Sequence, residues 1–222
     1  MMIQIAIDGP SGAGKSSLAR RLAKELGYLY VDTGAMYRAI GLYMLRAGVD
    51  TSDAAAVLPR LGEVRLELKY LDGTQHVFLN GEDVSEEIRR EEVSMAASSV
   101  SAHQGVRDFL TETQRSIAQR NNVLMDGRDI GTIILPNAQI KIFLTASAEE
   151  RARRRTRELR EKGQPAEYEE VLADIRRRDY NDSHRAAAPL RQAKDAVLVD
   201  TSDDDFEAAY QKLYRLIQGR LG

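Results

Sequence analysis

Cysteine is absent from the 222 residues, so the chain has neither disulfides nor thiolate metal ligands to draw on, a pattern compatible with the cytosol. His76, His103 and His184 stand too far apart for metal-ligand spacing and read as solvated or core side chains. Neither sign of charge dominates. Lys plus Arg total 32 against 34 Asp plus Glu, and a net charge of -2 gives no reason to expect a protein that coats nucleic acid or an anionic membrane. Any basic surface must therefore be local. No apolar run approaches the ~20 residues that a membrane span requires. The first residues enter a strand-like segment without the basic and apolar stretches of a secretion leader. Internal repeats and low-complexity linkers are also missing. With 43% hydrophobic residues, the expectation is a globular cytoplasmic chain with one core and appendages.

Against these absences, Gly9 to Ser17 reads GPSGAGKSS and fits the phosphate-loop pattern through Gly9, Gly14, Lys15 and Ser16. Before it, Ile3, Ile5 and Ile7 alternate with Gln4 and Ala6 as a short strand. After it, Leu18, Leu22 and Leu26 with Ala19 and Ala23 have helical spacing, which Gly27 ends. Glycines let backbone amides converge on an anion at the helix start, where unpaired N–H groups and the macrodipole favour negative charge. Lys15 would reach the β- and γ-phosphates and Ser16 would hold Mg²⁺. The bland alternative is a Gly/Ser connector, against which strand, loop and helix agree.

Tyr28 to Val31 predict a second strand ended by Asp32, and Thr33 is expected to cap a helix running through Met36, Ile40 and Met44 to Ala47, with Gly48 closing it. This is a βαβ unit, whose strand ends converge on a ligand. Asp32, Thr33 and Arg38 lie there, and Arg38 could grip a second phosphate bidentately. An ordinary capped helix with a surface arginine accounts for them equally well. From Glu63 the period becomes two. Val64, Leu66 and Leu68 alternate with charges, Asp72-Gly73 predicts a hairpin turn, His76 to Leu79 return, Asn80-Gly81 turn again, and Glu82 to Val84 form a third short strand. The meander is too charged for burial on both sides and is either a clamp over a substrate or a structural flap.

Residues 91 to 119 read as helical through Val93, Ala96, Ala97 and Val100, then Val106, Phe109, Leu110, Thr113 and Ile117, without fixing the face of Ser98 and Arg107. Asn122 to Met125 make a third strand ending at Asp126, where a Walker-B-like acid would sit. Gly127, Arg128, Asp129 and Gly131 form a charged turn, in which the two charges could also simply pair. Ile140 to Leu144 make a fourth strand. An arginine-dense helix begins at Ala148, Gly163-Gln164-Pro165 breaks it, and a second starts near Tyr168. If that helix lasts far enough, Arg178, Asp182 and Arg185 share a face. Such runs are usually solvated surfaces, but beside a nucleotide site they suit a mobile lid. Ala196 to Val199 predict a fifth strand. Asp203 is the expected cap of a closing helix through Phe206, Tyr210, Leu213, Tyr214 and Ile217.

Two anion sites and a metal-orienting acid imply phosphoryl transfer between bound molecules, a reaction that needs positioning and charge neutralisation more than covalent chemistry. No N-K-x-D sequence supports a GTPase switch. The stretches GPSGAGKSS, DTGAMYR, DGRDIGT and RDYNDSHRAAAPL together resemble the bacterial cytidylate kinases, within the nucleoside monophosphate kinases, essentially from Ile3 to the final helix. DGRDIGT is the most discriminating of these, since adenylate kinases share the loop and lid but not this motif.

The resemblance implies a P-loop three-layer α/β/α fold with a five-stranded parallel sheet, a small antiparallel β insertion and a helical lid. Its parts would be one domain over 1–222, with a core at about 1–35, 88–148 and 190–222, a monophosphate-binding region at 36–87 and the lid at 149–189. ATP would lie on Gly9, Pro10, Ser11, Gly12, Ala13, Gly14, Lys15, Ser16 and Ser17, with Mg²⁺ on Ser16 and, through water, Asp126. CMP or dCMP would be the acceptor, with UMP, AMP or a small metabolite as the alternative. Asp32 and Thr33 would line its site. Arg38, Arg128 and Arg185 would bind its phosphate, Ser98, Arg107 and Asp129 its base edge, and Arg178 and Asp182 its ribose. Lys15, Arg128, Asp129 and Arg185 would be the catalytic set. The expected partners are these small molecules alone, with no nucleic acid or membrane, and the expected state is a monomer.

Overall fold

In the computed structural model, which describes residues 2–71 and 74–221, the order is β1 (Gln4–Asp8), α1 (Lys15–Leu26), β2 (Leu29–Asp32), α2 (Thr33–Arg46), α3 (Ala54–Val57), β3 (Leu66–Leu71), β4 (Thr74–Leu79) and β5 (Glu82–Asp83). It continues with α4 (Glu91–Val100), α5 (Gln104–Arg120), β6 (Val123–Gly127), β7 (Ile140–Thr145), α6 (Ala148–Glu161), α7 (Tyr168–His184), β8 (Val197–Asp200) and α8 (Phe206–Leu221). A five-stranded sheet has the order β2-β6-β1-β7-β8, and β3, β4 and β5 form a separate antiparallel sheet. The α/β class and both sheets are those expected. The chain divides into two compact units, one made of the residues up to Leu29 and from Asn122 onward, the other of Tyr30–Asn121.

In the first unit, Ile5, Ala6 and Ile7 of β1 are wholly buried on both faces, as suits a strand with neighbours on each side. β1 pairs in parallel with β6 and β7, and β7 with β8. Its register sets Ile7 beside Asp126 and Asp8 beside Gly127, so the loop after β1 and the charged segment after β6 leave the sheet at one level. α1 buries Leu18, Ala19, Leu22 and Ala23, and Gly27 ends it at φ 68° with its amide on Ala23 and Lys24 carbonyls. α8 lies against α1, where Tyr210 bonds Glu25 and Arg21 lies over the Tyr210 ring. The unit closes on itself where Leu29 N–H donates to the Asn122 carbonyl (2.9 Å), while the Asn122 side chain accepts from Ile3 N–H (2.8 Å).

In the second unit, α2 packs on α4, and Met36, Ile40 and Met44 meet Val77, Leu79, Val84, Ile88, Val93 and Leu110 in one core. The helices approach closely at Gly41, where a Cβ would stand 2.9 Å from Ala97 N and 3.1 Å from Ala96 Cβ. The meander buries Val77 and Leu79 and exposes its charged positions. Asn80 and Gly81, at φ 51° and 88°, make the two-residue turn between β4 and β5. The turn expected at Asp72-Gly73 lies outside the described residues.

Several local expectations need correction. Asp32, not Thr33, caps α2, since its carboxylate accepts from Ala35 N–H (2.9 Å) while Thr33 is already helical. The helical stretch 91–119 is two helices, broken at Ser101–His103. On the second, Arg107, Leu110, Gln114 and Ala118 are buried, while Phe109 and Thr113 face outward. Asp205, not Asp203, caps α8 by accepting from Ala208 N–H (2.8 Å), and Phe206 is exposed. Arg185 lies just past the end of α7 with extended backbone, so it is off the helical face of Arg178 and Asp182.

Candidate active site

Between β1 and α1 the chain turns at Gly9, whose φ is 150° and whose Cβ would stand 1.9 Å from the Leu144 carbonyl oxygen, so only glycine fits. Gly14 precedes α1 at φ 82°, and among the described residues no side chain caps this helix and no acid occupies its first turn. Its first amides are thus left for an anion. Lys15 is 5% exposed, and its Nζ donates to the Pro10 carbonyl (2.7 Å), folding the side chain over the loop. Burial, and then the Arg128 charge, push its pKa down to about 7, against the pull of Asp126, Asp182 and Asp8. Ser16 Oγ donates to Asp126 Oδ2 (2.8 Å). The hydroxyl and carboxylate form an all-oxygen pair of the kind that suits Mg²⁺, which completes its shell with phosphate and water.

After β6 the DGRDIGT segment is held from beneath. Asp8 Oδ1 accepts from Ile130 N–H (2.8 Å) and Oδ2 from Gly131 N–H (2.7 Å). Burial pushes this carboxyl up to about 6, although both backbone hydrogen bonds and Lys15 favour its charged form. Asp129 is buried at the head of a π-helical turn, Ile130–Ile134, and its carbonyl accepts from Ile133 and Ile134 amides. Arg128 Nε donates to Asp182 Oδ2 (2.9 Å), a partner 54 residues away, and Arg185 Nη1 lies 3.7 Å from Asp182 Oδ1. Arg185 Nε donates to the Ala188 carbonyl (2.9 Å). One carboxylate on α7 therefore gathers two guanidinium groups, and Arg178 stands one turn earlier on the same helix.

The α6–α7 pair is rooted by a side chain that the sequence reading did not single out. Arg151, 4% exposed, donates from Nε to the Ala146 carbonyl (2.9 Å), from Nη1 to the Ser11 carbonyl of the phosphate loop (2.9 Å), and bidentately to Asp179 (3.0 and 2.6 Å). Other arginines of the pair are neutralised nearby: Arg153 and Arg154 meet Glu150, Arg155 meets Glu158, Arg176 meets Glu149 and Arg177 meets Asp174.

In the second unit Asp32 serves two partners. Oδ1 caps α2 and Oδ2 takes Arg38 Nη2 (2.9 Å), so the capped helix and the placed arginine are one construction. Thr33 is buried beside it. Arg38 Nε is buried with no hydrogen-bond partner among the described residues. Arg107 is buried, donates to the Ser101 carbonyl (2.9 Å) and lies over Tyr37, 5.4 Å from the ring centroid. Ser101 Oγ in turn donates to the Ser98 carbonyl (2.9 Å), which links the two positions expected to serve the base. Asp8 was hidden in the sequence as the last residue of a strand, although a carboxylate ending so apolar a strand is itself a signal. Arg151 is one arginine among many, and nothing in its spacing marks it.

The family model described as cytidylate kinase matches residues 5–219. A cytidylate kinase of Caldicellulosiruptor bescii is 50% identical over 214 residues, covering 96% of this chain and 95% of that one. A cytidylate kinase of Mycobacterium leprae is 51% identical over 221 residues, covering 99% of this chain and 97% of that one. Among solved structures, an uncharacterized protein from Eubacterium ventriosum superposes with a TM-score of 0.52 at 12% identity over 99% of both chains, a likeness of fold alone. The match spans the phosphate loop, the Asp32–Arg38 helix, the segment clamped by Asp8 and the α6–α7 pair, and on that full-length agreement this chain belongs to the cytidylate kinase family.

Proposed function

We propose that this chain transfers the γ-phosphoryl group of ATP to CMP or dCMP, giving CDP or dCDP and ADP. One observation supports the reading: in the first unit β1 and β6 pair in parallel with Asp8 opposite Gly127, so the loop that carries Lys15 and the segment that carries Arg128 leave the same end of the sheet. Lys15 and the open amides of α1 serve the donor's phosphates. Arg128 and Arg185, gathered by Asp182, serve the acceptor's phosphate together with Arg38, while Arg178 and Asp182 take the ribose. Ser98, Arg107 and Asp129 read the cytosine edge, whose acceptor carbonyl and ring nitrogen lie beside a donor amine. Asp32 and Thr33 line the acceptor's side.

Ser16, with Asp126 through water, would hold Mg²⁺, which would supply charge neutralisation at the donor's phosphates. The protein's own part is to align acceptor oxygen and γ-phosphorus and to oppose the charge that spreads over the transferring oxygens. The α6–α7 pair closes over the phosphates and keeps water from acting as acceptor. A phosphate acceptor is already ionised at neutral pH, so no general base is assigned.

A coupled ADP-release assay over CMP, dCMP, UMP, AMP and GMP tests the reading. Turnover is expected to be fastest with CMP and dCMP, and Asp129→Ala should erode that preference. AMP or GMP used as well as CMP would sink the assignment.

A further inference from the structure

The β3–β4–β5 meander has no part in the chemistry above, yet it is bonded to the residue that sets Arg38. Gln75, on β4, accepts from Asp32 N–H at Oε1 (3.0 Å) and donates from Nε2 to the Asp32 carbonyl (3.4 Å). Tyr70 Oη, on β3, donates to the Tyr30 carbonyl two residues earlier on β2 (3.1 Å). β2 is the outer strand of the five-stranded sheet, and backbone groups at alternate residues point off the same edge. A primary amide presents a carbonyl acceptor and an N–H donor on the same side, so Gln75 takes both backbone groups of Asp32 as a pairing strand's residue would.

The consequence passes through one residue. Asp32's backbone is held by Gln75, while its carboxylate both caps α2 at Ala35 and fixes Arg38 Nη2. We infer that Gln75 is a positioning residue for the acceptor's phosphate: through the Asp32 backbone, the inserted meander sets the direction of the Arg38 guanidinium. The amide would discriminate against a side chain offering only one of the two functions. This inference rests on the reading of Arg38 as an acceptor-phosphate ligand.

Steady-state kinetics of the full chain test it. Gln75→Ala is expected to raise KM for CMP by roughly tenfold with kcat and KM for ATP within about twofold, as loss of orientation at one ligand predicts. Simple loss of folded enzyme would lower kcat and leave KM alone. Tyr70→Phe removes the neighbouring attachment and should change KM for CMP by less than about twofold, so an equal effect from it would show that general docking of the meander, not Gln75, matters. In an Arg38→Ala background, Gln75→Ala should have no further effect on KM for CMP; additive losses, or an unchanged KM in the single variant, would overturn the inference. Arg38→Ala with unaltered KM for CMP would instead refute the assignment of Arg38, which separates the two failures.

Discussion

Burial and the Arg128 charge both oppose the Lys15 ammonium and lower its pKa in the ligand-free protein. A triphosphate favours the charged form, so ATP binding at pH 8 should take up a proton. Calorimetry in buffers of different ionisation enthalpy should detect a net proton uptake, lost in Lys15→Ala. The same variant should lower kcat on the order of 10³-fold if charge stabilisation dominates the reaction. Uptake that persists without Lys15 would assign the proton elsewhere, and an unchanged kcat would remove the loop from catalysis.

Among elements, the α2–α4 contact depends on the absence of a side chain at Gly41. Gly41→Ala would place a methyl group against α4 backbone that cannot swing aside, and a loss of about 1–3 kcal/mol is expected, read as a lower urea midpoint at unchanged slope. A stability equal to wild type would show that the helices separate freely. The sequence shows such elements through their period: alternating Ile residues, the Leu spacing of α1 and the glycine stops all lie within a residue or two of the structure's bounds. It could not show which of two adjacent cap-forming residues takes the cap, because Asp32 and Thr33 are both suitable and only the turn geometry chooses. Nor did polarity reveal the buried face of α5. Arg107 goes inside because the Ser101 carbonyl and the Tyr37 ring receive it, whereas Phe109 stays out. At the candidate site the motifs located Arg128, Asp182 and Arg185, which the fold gathers around one carboxylate. Of the supports beneath them, Asp8 bonds to backbone amides and Arg151 divides its bonds between two carbonyls and Asp179, 28 residues away, and neither backbone partners nor so distant a pair leave a pattern in a sequence.

For the molecule as a whole, Asp8 ties folding to pH. Its folded pKa of about 6 exceeds the ordinary 3.8, so between those values the folded chain keeps a proton that the unfolded chain releases. Its contribution therefore favours folding below about 3.8 and is lost as pH rises through 6. Relative to Asp8→Asn, wild type should lose about 1 kcal/mol of stability between pH 5 and pH 7 and change little above, as measured by denaturant unfolding. A constant difference across that range would contradict the raised pKa. The closure of the first unit at Leu29 and Asn122 has another consequence. Residues 30–121 leave the first unit after Leu29 and return at Asn122, the two residues joined by the Leu29 N–H to Asn122 carbonyl hydrogen bond, so the ends of the excursion are held together whatever its length. Loop-closure entropy grows only with the logarithm of length, about 0.6 kcal/mol per doubling. Residues 30–121 can therefore tolerate insertions such as the β3–β5 meander at little entropic cost to the framework that carries the phosphate loop.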